Sequence, residues 1–334
     1  MKIVKTQIPV GIVSTAYCLP PRKMSVRDVF KEEGLEFNSA IANQLGINQV
    51  HVFEGKWRSD LAFEAAKECL FKAGLSSNEI DVVVDFSVLP QDYVVPSWCM
   101  SNKIQHELGA GKAFNLGFGG GGTTNLLTAL KFVVSLIKTE KAGTALLIST
   151  DVALPGNRVI NQDEPLTVLG DGASAIIVSR GTSDCEILDI ELWSDGEQNG
   201  VFCIPGGGLA HPDRLDLYRL RIDVESYSEE STLRNLKSLT ERAAENAGIN
   251  LDDVTIFINP NISTRDREKF SEVFGLSEDD LFEENRRQYG HIQGTDFVIN
   301  LSQMINTRSE DRHNLAVACS HGWGFSYGAM VVRI

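Results

Sequence analysis

Positive charge is scarce in this chain. Against 45 Asp and Glu stand 31 Lys and Arg, a formal net charge of −14 with a pI near 4.9. A surface that neutralises phosphates needs the opposite balance, which argues against nucleic-acid binding and against docking on anionic membranes. Long apolar runs are missing as well. The most apolar, Thr144–Ile148 (TALLI), is strand-sized, far short of the roughly 20 residues a membrane-spanning helix needs. The opening MKIVKTQIPVGIV carries two lysines but no extended apolar region and no small-residue cleavage site. It reads as a first β-strand rather than a signal peptide. Paired cysteines are absent too: Cys18, Cys69, Cys99, Cys185, Cys203 and Cys319 lie far apart, without CxxC or metal-ligand spacing. No metal and no cofactor is expected from them, and the thiols are expected to be reduced and mostly buried in a cytoplasmic protein. What is present, 334 residues with 43% hydrophobic and 23% charged, suits a globular chain of enzyme size with a substantial core.

The chain looks like one theme used twice. Helix-patterned LAFEAAKECLFKAGL (Leu61–Leu75) leads through a polar turn into DVVVDFSVLP (Asp81–Pro90). Later, LKSLTERAAENAGI (Leu236–Ile249) leads through a polar turn into VTIFINPNIS (Val254–Ser263). Continuous β-branched runs of this kind mark strands buried on both faces, with helices covering a mixed or parallel sheet. GDGASAIIVSR (Gly170–Arg180) and GFSYGAMVVRI (Gly324–Ile334) match as glycine-rich turns feeding a strand. The repeat predicts a duplicated α/β chain with halves 1–180 and 181–334, and a site where the halves meet.

Segments in fixed order resemble β-ketoacyl-acyl-carrier-protein synthase III, a thiolase-fold condensing enzyme. They are YVVPSWCMSNKIQHEL (Tyr93–Leu108), LGAGKAFNLGFGGGG (Leu108–Gly122), ALLISTDVA (Ala145–Ala153), VLGDGASAIIV (Val168–Val178), IPGGG (Ile204–Gly208), YGHIQG (Tyr289–Gly294) and HGWGFSYGAMVVRI (His321–Ile334). The resemblance spans about residues 3–334. It implies a thiolase-like α-β-α-β-α fold, a dimer built across the sheet edge with Tyr93–Leu108 near the interface, and acyl thioester chemistry.

That family works through a cysteine thiolate on a strand-to-helix turn, assisted by a histidine and an asparagine. Here the resemblance puts Gly120 at the cysteine position. Gly119, Gly121 and Gly122 supply no nucleophile, and Thr123, Thr124 and Cys99 are the nearest candidates for a relocated one. Asn259 or Pro260 falls at the histidine position and His291 at the asparagine position. An imidazole titrates near neutrality and suits acid/base work, so His291 is the candidate catalytic group; a purely hydrogen-bonding histidine is the alternative. His321 opens the C-terminal glycine loop, where packing is the plainer role. The family binds its thioester oxygen with backbone N–H groups, which Gly120 and Gly324 can still provide.

At the mouth, Ala40 replaces a coenzyme A-stacking tryptophan, Gln44 an arginine, and Asp163 lies near another arginine position, all of which weakens coenzyme A binding. Arg265 matches a carrier-docking arginine and leads a basic run with Arg267 and Lys269. These form either a patch for an acyl or peptidyl carrier protein or a solvated helix face. Two functions follow. One is an acyltransferase acting on a carrier- or coenzyme A-linked thioester without an acyl-enzyme. The other is an inactive subunit, homo- or heterodimeric, that completes an active thiolase-fold partner.

Overall fold

The computed structural model describes residues 8–93, 98–154, 156–182, 185–223, 225–277, 281–282, 285–306, 315–323 and 325–334. Its main sheet has ten strands. They are β1 (Val10–Cys18), β2 (Val82–Asp85), β3 (Phe114–Gly117), β4 (Thr144–Asp151), β5 (Gly172–Arg180), β6 (Glu186–Ser194), β7 (Ile256–Ile258), β8 (Leu281–Phe282), β9 (Leu315–Gly322) and β10 (Ser326–Arg333). The longer helices are α1 (Ser59–Ala73), α2 (Met100–Leu108), α3 (Asn125–Lys138), α4 (Glu229–Asn246), α5 (Thr264–Phe274) and α6 (Thr295–Asn306).

The strand order is β8-β7-β9-β10-β6-β1-β5-β4-β2-β3. In the first half β2 runs parallel to β3 and β4, while β5 is antiparallel to β4 and β1. In the second, β7 runs parallel to β8 and β9, while β10 is antiparallel to β9 and β6. The two arrangements are the same, and they join where β1 lies antiparallel to β6 at Gly11 and Glu186. The duplication read from the sequence is therefore a duplication of topology.

Helices α1 and α2 cover the outer face of the first half; α4, with α5 beside it, covers the second. Between the halves lie α3 and α6, each touching strands of both. This middle layer explains their sequences. NLLTALKFVVSLIK and TDFVINLSQMIN carry apolar residues around most of the helix, as a helix covered on two sides must. Leu127, Leu130, Val133, Phe297, Val298 and Leu301 are all almost fully buried there, each worth about 1.5–3 kcal/mol of burial. None of the described helices is long and apolar enough to cross a membrane.

Some boundaries differ from the sequence pattern for local reasons. Helix α4 begins ahead of Leu236 because Ser228 caps it, its hydroxyl accepting the Ser231 N–H at 3.3 Å, with Glu229 and Glu230 in the first turn. Strand β2 stops at Asp85, whose carboxylate accepts the Ser87 N–H at 2.9 Å and turns the chain. The aspartate of the GDGA segment, Asp171, is wholly buried. It is bidentate to Arg158 at 2.8 and 2.7 Å and accepts N–H groups from Phe53 and Ala153. That motif is a structural staple.

The halves approach closely at two glycine segments. A β-carbon on Gly322 would stand 1.8 Å from the Gly121 carbonyl oxygen, and one on Gly122 2.5 Å from the Trp323 nitrogen. Backbone cannot yield there as a side chain does. Gly322→Ala should therefore cost about 1–3 kcal/mol and lower Tm by several degrees. Gly111→Ala, where a β-carbon meets nothing within 4 Å, should stay within about 0.5 kcal/mol of wild type. Parallel thermal melts check this; equal Tm values for all three proteins would contradict the packing described.

Candidate active site

A cavity of about 260 Å³ opens where loops of both halves converge. The first half contributes Thr123 and the segment from Ile160 to Thr167; the second contributes Ile262 to Asp266, His291, His321 and Trp323. Phe202, Ile222 and Tyr227 add an apolar wall from the long connection after β6. The lining is mostly apolar with a few polar side chains, a common construction for a small-molecule site.

His291 is pinned by its backbone. It donates its N–H to Val168 O and accepts the Gly170 N–H, both at 3.0 Å, so the YGH segment is bridged to the GDGA strand of the other half. Its side chain is buried, with Nδ1 2.6 Å from Asp296 Oδ2. Asp296 is fully buried in the first turn of α6. Its Oδ1 accepts the Ile292 N–H at 2.8 Å, and its Oδ2 the Asn261 N–H at 2.8 Å.

His321 also lines the cavity. Burial pushes its imidazole down to about 4, keeping the ring neutral. Its carbonyl receives the Thr123 hydroxyl at 2.7 Å, and Thr123 Oγ1 lies 2.8 Å from Ser320 Oγ. Among the described residues the Thr123 hydroxyl is hydrogen-bonded to oxygen atoms and not to an imidazole nitrogen, the base that would activate a nucleophilic hydroxyl. Thr124 bonds back to Gly121 O at 2.7 Å.

No cysteine is among the residues lining the cavity. Cys69 and Cys319 are buried, which pushes each thiol up to about 12. Cys99 is outside the cavity lining, its Sγ 2.8 Å from Ser101 Oγ. Gly120 is exposed and does not line the cavity; the turn reaches it at Thr123 instead. Gly120 has φ +86°, a left-handed conformation in which a side chain is strained although the space around it is open. Gly324 lies outside the described residues. Asn259 is buried outside the cavity lining, with its carbonyl accepting Asn300 Nδ2 at 3.3 Å. Pro260, the other occupant of the histidine position, is buried as well. Of the four catalytic candidates, the structure brings His291 to the cavity.

The mouth differs from a bare basic patch. Arg265 lines the cavity but is bonded to Glu164 and lies 3.9 Å from Glu229, which also holds Lys269. Arg267 follows on the same helix. Gln44 reaches the lining and donates to Pro165 O at 2.9 Å, while Ala40 and Asp163 are exposed. Asp296 and Glu229 escaped the sequence reading. An acidic residue just after Gly-Thr signals a helix start, which hints at Asp296 but not at its imidazole partner; nothing pointed to Glu229.

Fold and site together define a thiolase-like α/β chain with a histidine-bearing cavity between its halves. The model of the 3-oxoacyl-[acyl-carrier-protein] synthase III C terminal matches residues 244–334, and that of 3-oxoacyl-[acyl-carrier-protein] synthase III matches residues 122–196. β-Ketoacyl-[acyl-carrier-protein] synthase III of Clostridium perfringens is 26% identical over 300 residues, covering 88% of this chain and 90% of that one. The enzyme of the same name from Desulfotalea psychrophila is 27% identical over 331 residues, covering 97% and 99%. The crystal structure of 3-oxoacyl-[acyl-carrier-protein] synthase III from Aquifex aeolicus superposes with a TM-score of 0.81 at 21% identity, covering 97% of this chain and 100% of that one. By these matches the chain is similar to the β-ketoacyl-acyl-carrier-protein synthase III family over nearly its whole length.

The His321 environment carries a pH signature. An imidazole whose folded pKa is depressed from 6.5 to about 4 stabilises the native state fully above its ordinary value. That contribution drains as pH falls through this window, by at most about 3 kcal/mol. His321→Gln should therefore lose less Tm than wild type between about pH 7 and about pH 4.5. Equal slopes in thermal melts would contradict a ring buried against ionisation.

Proposed function

We propose that this chain transfers an acyl group directly from a carrier-protein- or coenzyme A-linked thioester to a second bound substrate, in fatty-acid-type or specialised-metabolite biosynthesis. The observation carrying this reading is a cavity that holds two imidazoles and no thiol. With no nucleophile to form an acyl-enzyme, donor and acceptor must be present together. Proximity and electrostatic stabilisation then supply the acceleration.

The acceptor, H–Nu, attacks the thioester carbonyl while His291 Nε2 takes its proton. Backbone N–H groups where Gly121–Thr123 meets Gly322–Trp323 are the proposed donors to the tetrahedral oxyanion. The C–S bond then breaks, and the imidazolium returns the proton to the departing sulfur. Acyl–S–carrier and H–Nu thus become acyl–Nu and HS–carrier, with no proton or electron unaccounted for. His321, kept neutral, lines the same cavity without a net charge. Asn259 has no proton to exchange and is given no catalytic step.

Arg265, at the cavity rim, with Arg267 and Lys269 behind it, is the proposed carrier contact. Docking would exchange Glu164 and Glu229 for carboxylates or phosphates of the carrier. A homodimer across the β3 edge is part of the same proposal: β3 ends the sheet, and Phe114 on it is 48% exposed. The open cavity favours an enzyme over an inactive subunit completing a partner.

His291→Ala should lower turnover by about a hundredfold to ten-thousandfold without loss of fold, and His291→Asn should be equally inactive. Intact mass after incubation with acyl-carrier or acyl-coenzyme A should be unchanged. Gly120→Cys should not bring in condensing activity, since the position is left-handed and outside the cavity lining. Near-full activity of both His291 variants, or an added acyl mass mapped to Cys99 or Thr123, would refute the mechanism. Activity gained only with a partner subunit would establish the inactive-subunit reading.

A further inference from the structure

The structure assigns Asp296 as the positioning residue that fixes the tautomer of His291, leaving Nε2 unprotonated toward the cavity. The assignment rests on the reading of His291 as the base for acyl transfer, but the geometry behind it is independent of any substrate. Backbone N–H groups can only donate. Ile292 N–H on Oδ1 and Asn261 N–H on Oδ2, each at 2.8 Å, both favour the ionised carboxylate of Asp296, which can only accept. The third contact, 2.6 Å from Oδ2 to His291 Nδ1, then requires the hydrogen to sit on Nδ1. In a neutral imidazole the other nitrogen is left as an acceptor, which is the form a general base needs. An acid that orients a base without touching the substrate is the third member of a nucleophile–base–orienter chain. Here the enzyme-borne nucleophile is missing and the acceptor substrate takes its place.

A second observation separates orientation from mere support of the loop. The segment carrying Asn261 is anchored independently by Asn300, whose Nδ2 donates to Asn261 Oδ1 at 3.1 Å and to Asn259 O at 3.3 Å. Asn300 in turn accepts from Asn285 Nδ2 at 2.8 Å. Removing the Asp296 carboxylate therefore leaves that strand end tied to α6. Removing the Asn300 amide loosens the strand end while leaving the ring's partner in place.

The experiment is ¹⁵N NMR of histidine-labelled protein at a pH where His291 is neutral, with its signals identified by their loss in His291→Asn. Wild type should show the Nδ1–H form. Asp296→Ala should revert to the Nε2–H form that a histidine without an Nδ1 acceptor favours, and Asn300→Ala should keep Nδ1–H. In turnover, Asp296→Ala should lose about a hundredfold or more in kcat with KM changed only a few-fold, and adding His291→Ala should cost nothing further. An Nε2–H form in wild type overturns the assignment even if neither Asp296→Ala nor Asn300→Ala folds. So does an Nδ1–H form retained in Asp296→Ala, or losses that multiply in the double variant. An inert wild type that shows the Nδ1–H form refutes the acyl-transfer reading and leaves the assignment of Asp296 supported.

Discussion

One backbone crossing sets the geometry of the site. Gly121–Gly122 of the first half lies against Gly322–Trp323 of the second, so closely that a β-carbon on Gly322 would fall 1.8 Å from a carbonyl oxygen. Strand β3 leads into the first of these segments, and strand β9 ends in the second. The crossing turns Thr123 toward Ser320 and the His321 carbonyl and puts His321 in the cavity lining. On the opposite wall the YGH segment is bridged to the GDGA strand, which delivers His291. A duplicated chain thus builds one site from unlike pieces of its two copies.

Charge is handled with the same economy. Asp171 and Asp296 are each fully buried, and each is surrounded by donors: a guanidinium and two amides for the first, an imidazole and two amides for the second. A buried carboxylate without such partners would cost several kcal/mol. At the mouth the acidic character of the chain persists, because Glu164 and Glu229 meet the cations of α5. Two imidazoles line the cavity, one held neutral by burial and the other paired with an acid.

The fold was legible because its signals are local and repeated. Helical spacing followed by β-branched runs occurs in both halves, and the strand order duplicates what those runs imply. The ends of elements were less legible: the Ser228 cap and the Asp85 turn depend on side-chain bonds that periodicity does not register. The site was legible in part. His291 could be found because it follows Tyr-Gly in a recognisable segment. Asp296 could not be paired with it from sequence, since the contact depends on Gln293 adopting φ +50° between them. The basic run on α5 was visible, but its partners Glu164 and Glu229 are remote in sequence. Gly120 is exposed and outside the cavity lining, which is a property of the backbone that no residue type reveals.

The central claim is that both substrates occupy the cavity together and no acyl group passes through the protein. The order of events is read most directly from initial rates with acyl donor and acceptor varied against each other. Lines that intersect in a double-reciprocal plot are predicted, the pattern of a ternary complex. Parallel lines, with a burst of free carrier thiol before the acceptor is added, would mean an acyl-enzyme and contradict the account.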